Sequence, residues 1–328
     1  MATVEAAPSS GVLDHPWVRF AARRLGRIAV SVWVLLTAAF LMIHLVPGDP
    51  VRAVLGPAAT AEMVAAKRDA LGLNDPLWLQ YVHYLRGVLT GDLGTALTSN
   101  LPVSQVIGQR LPTTATLAVL AFLLAVAVSI PLGVFLGVLT RGGRARRAEL
   151  AFTGTSVVLG AIPEFLIAVG LVSVFGVSLG WLPVAGRSGP ASYLLPVVAL
   201  AIGPSAVLSR IVRVEMLSVL SADYLRTARA KRLRPATIYF GHALPNTLTA
   251  TLTLGGLLLS VMLAGTVLVE NVFAWPGLGT TMVSSILARD YPVVQAIVLV
   301  YGAGVLLVNL VIDVALAVLD PRSAIRES

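Results

Sequence analysis

The chain has 328 residues, 57% hydrophobic and only 12% charged. A soluble domain carries about 25% charged residues, so an ordinary soluble enzyme is excluded, as is a disordered chain, which needs low hydrophobicity and high charge. The net charge is +8 and cysteine is absent, which removes disulfides, thiolate metal sites and a cysteine nucleophile.

A bilayer core of about 30 Å needs roughly 20 apolar residues in a helix, and six stretches supply them. Residues 1–27 read as a cytoplasmic segment carrying Arg19, Arg23, Arg24 and Arg27, and Ile28–Val46 as the first span. That run is too long for a signal-peptide core and no small-residue cleavage site follows it, so it reads as a retained helix. Residues 47–110 form a long extracytoplasmic loop with short helices of its own. Met63–Leu71 is one, closed by Gly72; a second starts at Asp75-Pro76, with Asp75 as N-cap and Pro76 at the first position. Leu77, Tyr81, Leu85 and Val88 then recur at helical spacing before Gly91. These helices are expected to lie over the outer ends of the spans.

The second span is Leu111–Leu139, the third Leu150–Leu179 and the fourth Tyr193–Ile211. A cytoplasmic loop, 218–242, leads to the fifth, Leu248–Val269, and then to the sixth, Val293–Leu319. Residues 111–320 thus make a five-helix core, and 321–328 a cytoplasmic tail. Period-2 alternation is absent, which disfavours a β-barrel. Pro131, Gly133, Gly137 and Pro163 fall inside spans, where packed neighbours tolerate proline and small residues let helices approach.

With the N-terminus inside, the cytoplasmic segments hold 17 of the 24 basic residues. Five of the other seven sit in the single long outer loop, which counts little in the positive-inside rule. Both termini are therefore expected in the cytoplasm. The basic clusters flank spans without interleaved aromatics, so nucleic acid is not an expected partner; the lipid bilayer is.

Neither lysine, Lys67 or Lys231, lies in a G-x-x-x-x-G-K-[ST] loop, and no hydrolase or zinc-protease motif occurs. His15, His44, His83 and His242 stand apart, so no metal site is expected. Three carboxylates fall in or at the ends of spans: Glu164, Glu270 and Asp313. Asp313 and Glu270 read as structural, Asp313 by capping or by pairing with a basic residue near the inner face and Glu270 by holding the outer loop. Glu164 either lines a pathway or pairs structurally.

Six pieces in order resemble the membrane-spanning permease subunits of ABC importers, in the dipeptide, oligopeptide and nickel branch. They are Val46-Pro47-Gly48-Asp49-Pro50, Gly91-Asp92-Leu93-Gly94 with Pro102-Val103, Leu111-Pro112-Thr113-Thr114, Asp223 through Lys231, Glu270 through Gly279, and Asp320-Pro321-Arg322. The resemblance implies an all-α membrane protein of six transmembrane helices, with a short coupling helix between spans four and five that docks on an ATPase. Its residues here are Asp223, Tyr224, Arg226, Thr227, Ala228, Arg229, Ala230, Lys231 and Arg232, with Leu244 and Pro245 as the trailing pair. Arg232 occupies the family's glycine position, which suggests a turn built differently or an acidic partner surface. Glu270, Phe273, Pro276, Gly277 and Gly279 are implied to contact a binding protein or shape an outer gate; the alternative is a loop that folds back.

The implied partners are a homologous second permease, two ATPase subunits or one two-headed ATPase, and an extracytoplasmic substrate-binding protein. ATP and Mg would be used by the ATPases, and no cofactor would be bound by this chain. The implied cargo is a short peptide, with nickel or another small solute as alternative. An ion-coupled secondary carrier, or a passive channel, is the alternative of a different class; neither has a reason to carry the 223–245 segment.

Overall fold

The computed structural model describes residues 16–45, 50–56, 58–70 and 72–319. Val46–Asp49, Leu71, Asp320-Pro321-Arg322 and the two termini lie outside them. Twelve α-helices are present among the described residues: α1 Pro16–Leu45, α2 Pro50–Leu55, α3 Ala61–Ala70, α4 Leu77–Thr90, α5 Val103–Leu139, α6 Arg146–Ala161, α7 Glu164–Leu171, α8 Leu194–Ser221, α9 Asp223–Ala230, α10 Leu244–Val272, α11 Leu278–Leu287 and α12 Tyr291–Leu319. The β structure there is one isolated bridge, Thr95 to Pro102. Four helices are long and apolar enough to cross a bilayer: α5, α8 with the turn before it, α10 and α12. In α1 the apolar stretch is Gly26–Met42, short of the roughly 20 residues a span needs.

The third expected span is not continuous. α6 and α7 with its π-helical continuation Val172–Ser178 meet at 95°. The proline ring of Pro163 disfavours helical backbone in the residue before it, and Ile162 is extended, with φ −77° and ψ 123°. Pro163 itself, φ −58° and ψ 139°, starts the second arm. A run of apolar residues carries no signal for this corner; only the proline does.

α5 begins at Val103, eight residues before the expected boundary, because Pro102 is a good helix start and Pro112 in the third turn is tolerated among packed neighbours. α8 likewise runs on to Ser221. In the outer loop α3 and α4 appear where the spacing put them, and Gly91 closes α4 in the left-handed region at φ 77°. Asp75 does not cap α4. Pro76 holds the N-cap position without a side-chain bond, and the Asp75 carboxylate lies 3.9 Å from His83 instead. α4 packs on α1 through Tyr81 and Tyr84 against Phe40, with Thr37 and Tyr81 sharing a hydrogen bond.

The most intimate helix pair is α5 with α8. Ala121, Ala125, Ser129, Gly133 and Gly137 recur every fourth residue and are all buried. A Cβ placed on Gly133 would stand 2.6 Å from the Ser209 carbonyl oxygen, and one on Gly137 would meet Met216. Close backbone approach of this kind substitutes for the hydrophobic effect, which is weak between helices in lipid. At the C-terminal end of α5, Arg213 of α8, itself buried, donates to Thr140 at 3.1 Å and pairs with Glu149 of α6 at 2.7 Å. Arg24 of α1 pairs with Asp313 of α12, the structural role expected of that aspartate. By contrast the outward faces are apolar and bare: Leu123, Phe135, Val158, Leu307 and Val311 are exposed, as suits lipid or a neighbouring chain.

Gly133→Ala is expected to destabilise the protein by about 2 kcal/mol, because the Ser209 carbonyl is backbone and must move. Thermal melting of the detergent-solubilised protein checks this; Gly108→Ala, where nothing lies within 4 Å, is the control.

Candidate functional site

Two clusters of expected site residues lie at opposite ends of α10, whose 29 residues span about 42 Å at 1.5 Å per residue.

The inner cluster is α9. Its sequence, DYLRTARA, places Leu225 and Ala228 three residues apart and so on one face. Both are buried, joining Met216 and Leu220 of α8 with Ile238 and Ala243 of the π-helical turn that leads into α10. Val134 and Val138 of α5 close the same cluster. Arg229 reaches under the helix and donates to the Leu220 carbonyl at 2.9 Å, satisfying one of the last acceptors of α8. Burial, and the nearby charge of Arg141, hold the Arg229 guanidinium below its ordinary pKa. Asp223, Tyr224, Arg226, Thr227, Ala230 and Lys231 are exposed on the other face. The Asp223–Arg226 pair, 3.3 Å apart in solvent, adds little stability. Ala228 is therefore a seat within this chain, and the small exposed residues are Thr227 and Ala230. Neither Ser221 nor Asp223 caps α9: Ala222 is the N-cap residue, and the Ser221 hydroxyl donates to Ser218.

Arg232 adopts the left-handed backbone, φ 53°. Its N–H donates to Arg229 O at 2.9 Å and that of Leu233 to Ala228 O at 3.3 Å, the two bonds of a Schellman closure. The turn is thus the one a glycine would make, built with an arginine at a cost in backbone strain. Leu244 is half-buried and Pro245 exposed, in the first turn of α10.

The outer cluster centres on Glu270, fully buried near the end of α10. Thr114 of α5 donates to its Oε1 at 2.6 Å. The N–H groups of Gly279 and Thr280, at the start of α11, donate to Oε2 at 2.7 and 3.3 Å. The Leu278 N–H donates to Thr114 Oγ1 at 2.8 Å. One carboxylate thus fills the role of an N-cap for another helix. Gly277 is required by this closeness, since a Cβ there would collide with the carboxylate. Phe273, Trp275 and Gly279 are buried alongside, with Trp275 edge-on to Tyr193. Of the 270–279 segment, Asn271 and Ala274 are exposed and Val272 and Pro276 half-buried.

Glu164 stands apart from both clusters, half-buried in the first turn of α7 at the 95° corner. It faces α10 where Gly265 leaves room: a Cβ there would be 3.7 Å from the Glu164 carboxylate.

A second buried carboxylate, Asp290, escaped the sequence reading. It receives the N–H groups of Leu97 and Thr98 at 3.0 and 2.9 Å and the Thr98 hydroxyl at 2.6 Å. It ties the 95–102 loop to the start of α12. Its one sequence signal is an aspartate two residues before Pro292, a helix-start pattern.

The site is thus a bundle of apolar helices with a short basic helix anchored at one end of α10 and a carboxylate-locked turn at the other, the build of a multi-pass membrane protein. Family comparison agrees. Residues 129–325 match the binding-protein-dependent transport system inner membrane component, and residues 17–118 match the N-terminal part of such membrane components. The chain belongs to this family of ABC importer permeases. It is 37% identical over 305 residues to the glutathione transport system permease protein GsiC of Salmonella typhimurium, covering 93% of this chain and 98% of the relative. The protein of the same name in Escherichia coli K12 is 35% identical over 305 residues, with the same coverage. Among solved structures, the MetNI methionine ABC transporter in an inward-facing conformation matches with a TM-score of 0.56 at 18% identity, over 66% of this chain and 96% of that one. That likeness concerns the fold alone.

Two outcomes are expected. Arg232→Gly should relieve about 1 kcal/mol of strain and slow amide hydrogen exchange across α9. Glu270→Ala should cost about 3 kcal/mol in thermal stability, because the Thr114 hydroxyl and two N–H groups lose their acceptor inside the protein; Glu270→Gln, which keeps one oxygen, should cost less.

Proposed function

We propose that this chain is one of two membrane-spanning halves of an ATP-driven importer of short peptides. Six helices cross the bilayer, α1 first and the broken α6–α7 pair third, with both termini in the cytoplasm. A homologous second permease completes the pathway. ATP and Mg are bound by two ATPase subunits or one two-headed ATPase, and an extracytoplasmic binding protein delivers the cargo. The chain itself binds no nucleotide. The glutathione permeases among its relatives support a peptide cargo, glutathione being a tripeptide.

The observation that carries this reading is the two-faced build of α9. Leu225 and Ala228 fasten it to α5, α8 and the entry of α10, while Tyr224, Arg226, Thr227, Ala230 and Lys231 face outward. A helix so held transmits a push to three spans at once. Its small outward residues admit close contact with an ATPase cleft, and its cations form charge-assisted bonds at the rim. When the ATPases close on ATP, α9 moves as a lever and access to the pathway alternates. Glu164, at the corner of the third span, lines that pathway.

The test is Ala230→Glu, on the exposed face. Peptide uptake in cells is expected to fall at least about tenfold, since 1.4 kcal/mol of lost contact suffices, and the ATPase should no longer co-purify. The amount of permease in the membrane should not change. Normal uptake in this variant would sink the coupling role of α9. Ala228→Asp is the wrong probe, because it unseats the helix from its own chain.

A further inference from the structure

A cavity of about 290 Å³ lies beneath the outer helices, between α4 and the first turns of α12. Three buried polar atoms sit in its lining residues without a hydrogen-bond partner: the hydroxyls of Tyr84 and Tyr291 and the Nε2 amide of Gln295. Tyr84 and Gln295 are neighbours, yet neither of these two atoms reaches the other with hydrogen-bond geometry. Buried donors left unmade are costly and call for an occupant. The remaining wall is apolar at Phe40, Leu73, Val88 and Leu299 and polar at Gln80, His83, Asp92 and Thr95.

The donors define the ligand. Two phenols and a primary amide serve uncharged acceptors such as carbonyl oxygens. Among the described residues no arginine or lysine lines the cavity, which disfavours a free anion. Depth narrows the choice further. The apolar window of α12 starts at Tyr291, and the cavity follows that helix from Tyr291 to Leu299, about 12 Å. With α12 crossing the bilayer as proposed above, this is the membrane interface, where tyrosines concentrate and where the ester carbonyls of lipids lie. The surface beside it is already apolar: Leu41 and Val34 of α1 and Trp78 and Val82 of α4 are exposed.

We propose that this cavity holds one phospholipid of the outer leaflet, its ester carbonyls accepting hydrogen bonds from Tyr84, Tyr291 and Gln295 and its acyl chains leaving past Phe40 and Leu299. The lipid would fasten α4 to α12 and so fix the outer cap on the spans. The choice of leaflet rests on the proposed orientation, whereas lipid retention does not, so the two fail separately.

The experiment is native mass spectrometry of the transporter complex, extracted in detergent and washed free of bulk lipid. The wild type is expected to retain one phospholipid per chain. Gln295→Leu and Tyr291→Phe should each lower occupancy about fivefold, the worth of one hydrogen bond. Tyr291→Phe keeps the ring and its packing, so the fold is preserved in at least that variant. A wild type free of lipid, or equal retention in both variants, overturns the proposal. So does photo-cross-linking from position 291 in intact membranes that captures a protein in place of lipid.

Discussion

The backbone contact between α5 and α8 sets the frame on which everything else is hung. It exists because five small residues, from Ala121 to Gly137, repeat at the pitch of the helix. In a bilayer, helices gain nothing by hiding apolar surface from lipid, so approach distance and hydrogen bonds decide which pairs form. Once α5 and α8 are joined, their ends become fixed points. Thr114 of α5 reaches Glu270 at the outer end. Arg213 of α8 gathers Thr140 and Glu149 at the inner end. The seat of α9 is made of Met216 and Leu220 on one helix and Val134 and Val138 on the other.

The carboxylates separate into two kinds. Glu270 and Asp290 are fully buried, and each spends its oxygens on backbone N–H groups and a threonine hydroxyl. They close helices and loops. A proton relay needs carboxylates that can exchange protons with water or with one another, and these two are engaged by fixed donors in the outer cap. Asp313 is engaged by Arg24. Glu164 is of the other kind, half-buried at a break in a span.

Much of this was legible in the chain. Hydropathy placed both ends of α10 and α12, and one end each of α5 and α8, to within a few residues; local chemistry placed α3 and α4, and the resemblance placed α9. The errors have physical causes. A window of apolar residues reads straight through Pro163, because hydropathy does not report direction. The start of α5 was set too late because its first turns, with Gln105, Gln109 and Arg110, are polar enough to resemble loop. Ala228 was counted with the docking residues by resemblance, but a motif does not say which face a residue occupies; the Leu225 spacing does. Of the two expectations for Arg232, an altered turn or an acidic partner surface, the first does not hold, because the bonds of the helix end fix the left-handed backbone whatever side chain is attached. Asp290 was missed because its partners are some 190 residues away, and no local pattern announces such a bond.

The corner between α6 and α7 has an electrical side. Where two helices end against each other, the last carbonyls of one and the first N–H groups of the other have no intrahelical partner. Here those groups, with the Glu164 carboxylate among them, fall midway along an otherwise apolar stretch. Polar backbone at such depth persists only where it meets protein or water. Where water meets such a corner, the dry path between the two aqueous phases is shorter, so a membrane voltage falls across less protein and its field is steeper there. A charge crossing there would then meet most of the potential within a short distance rather than over the whole thickness of the bilayer.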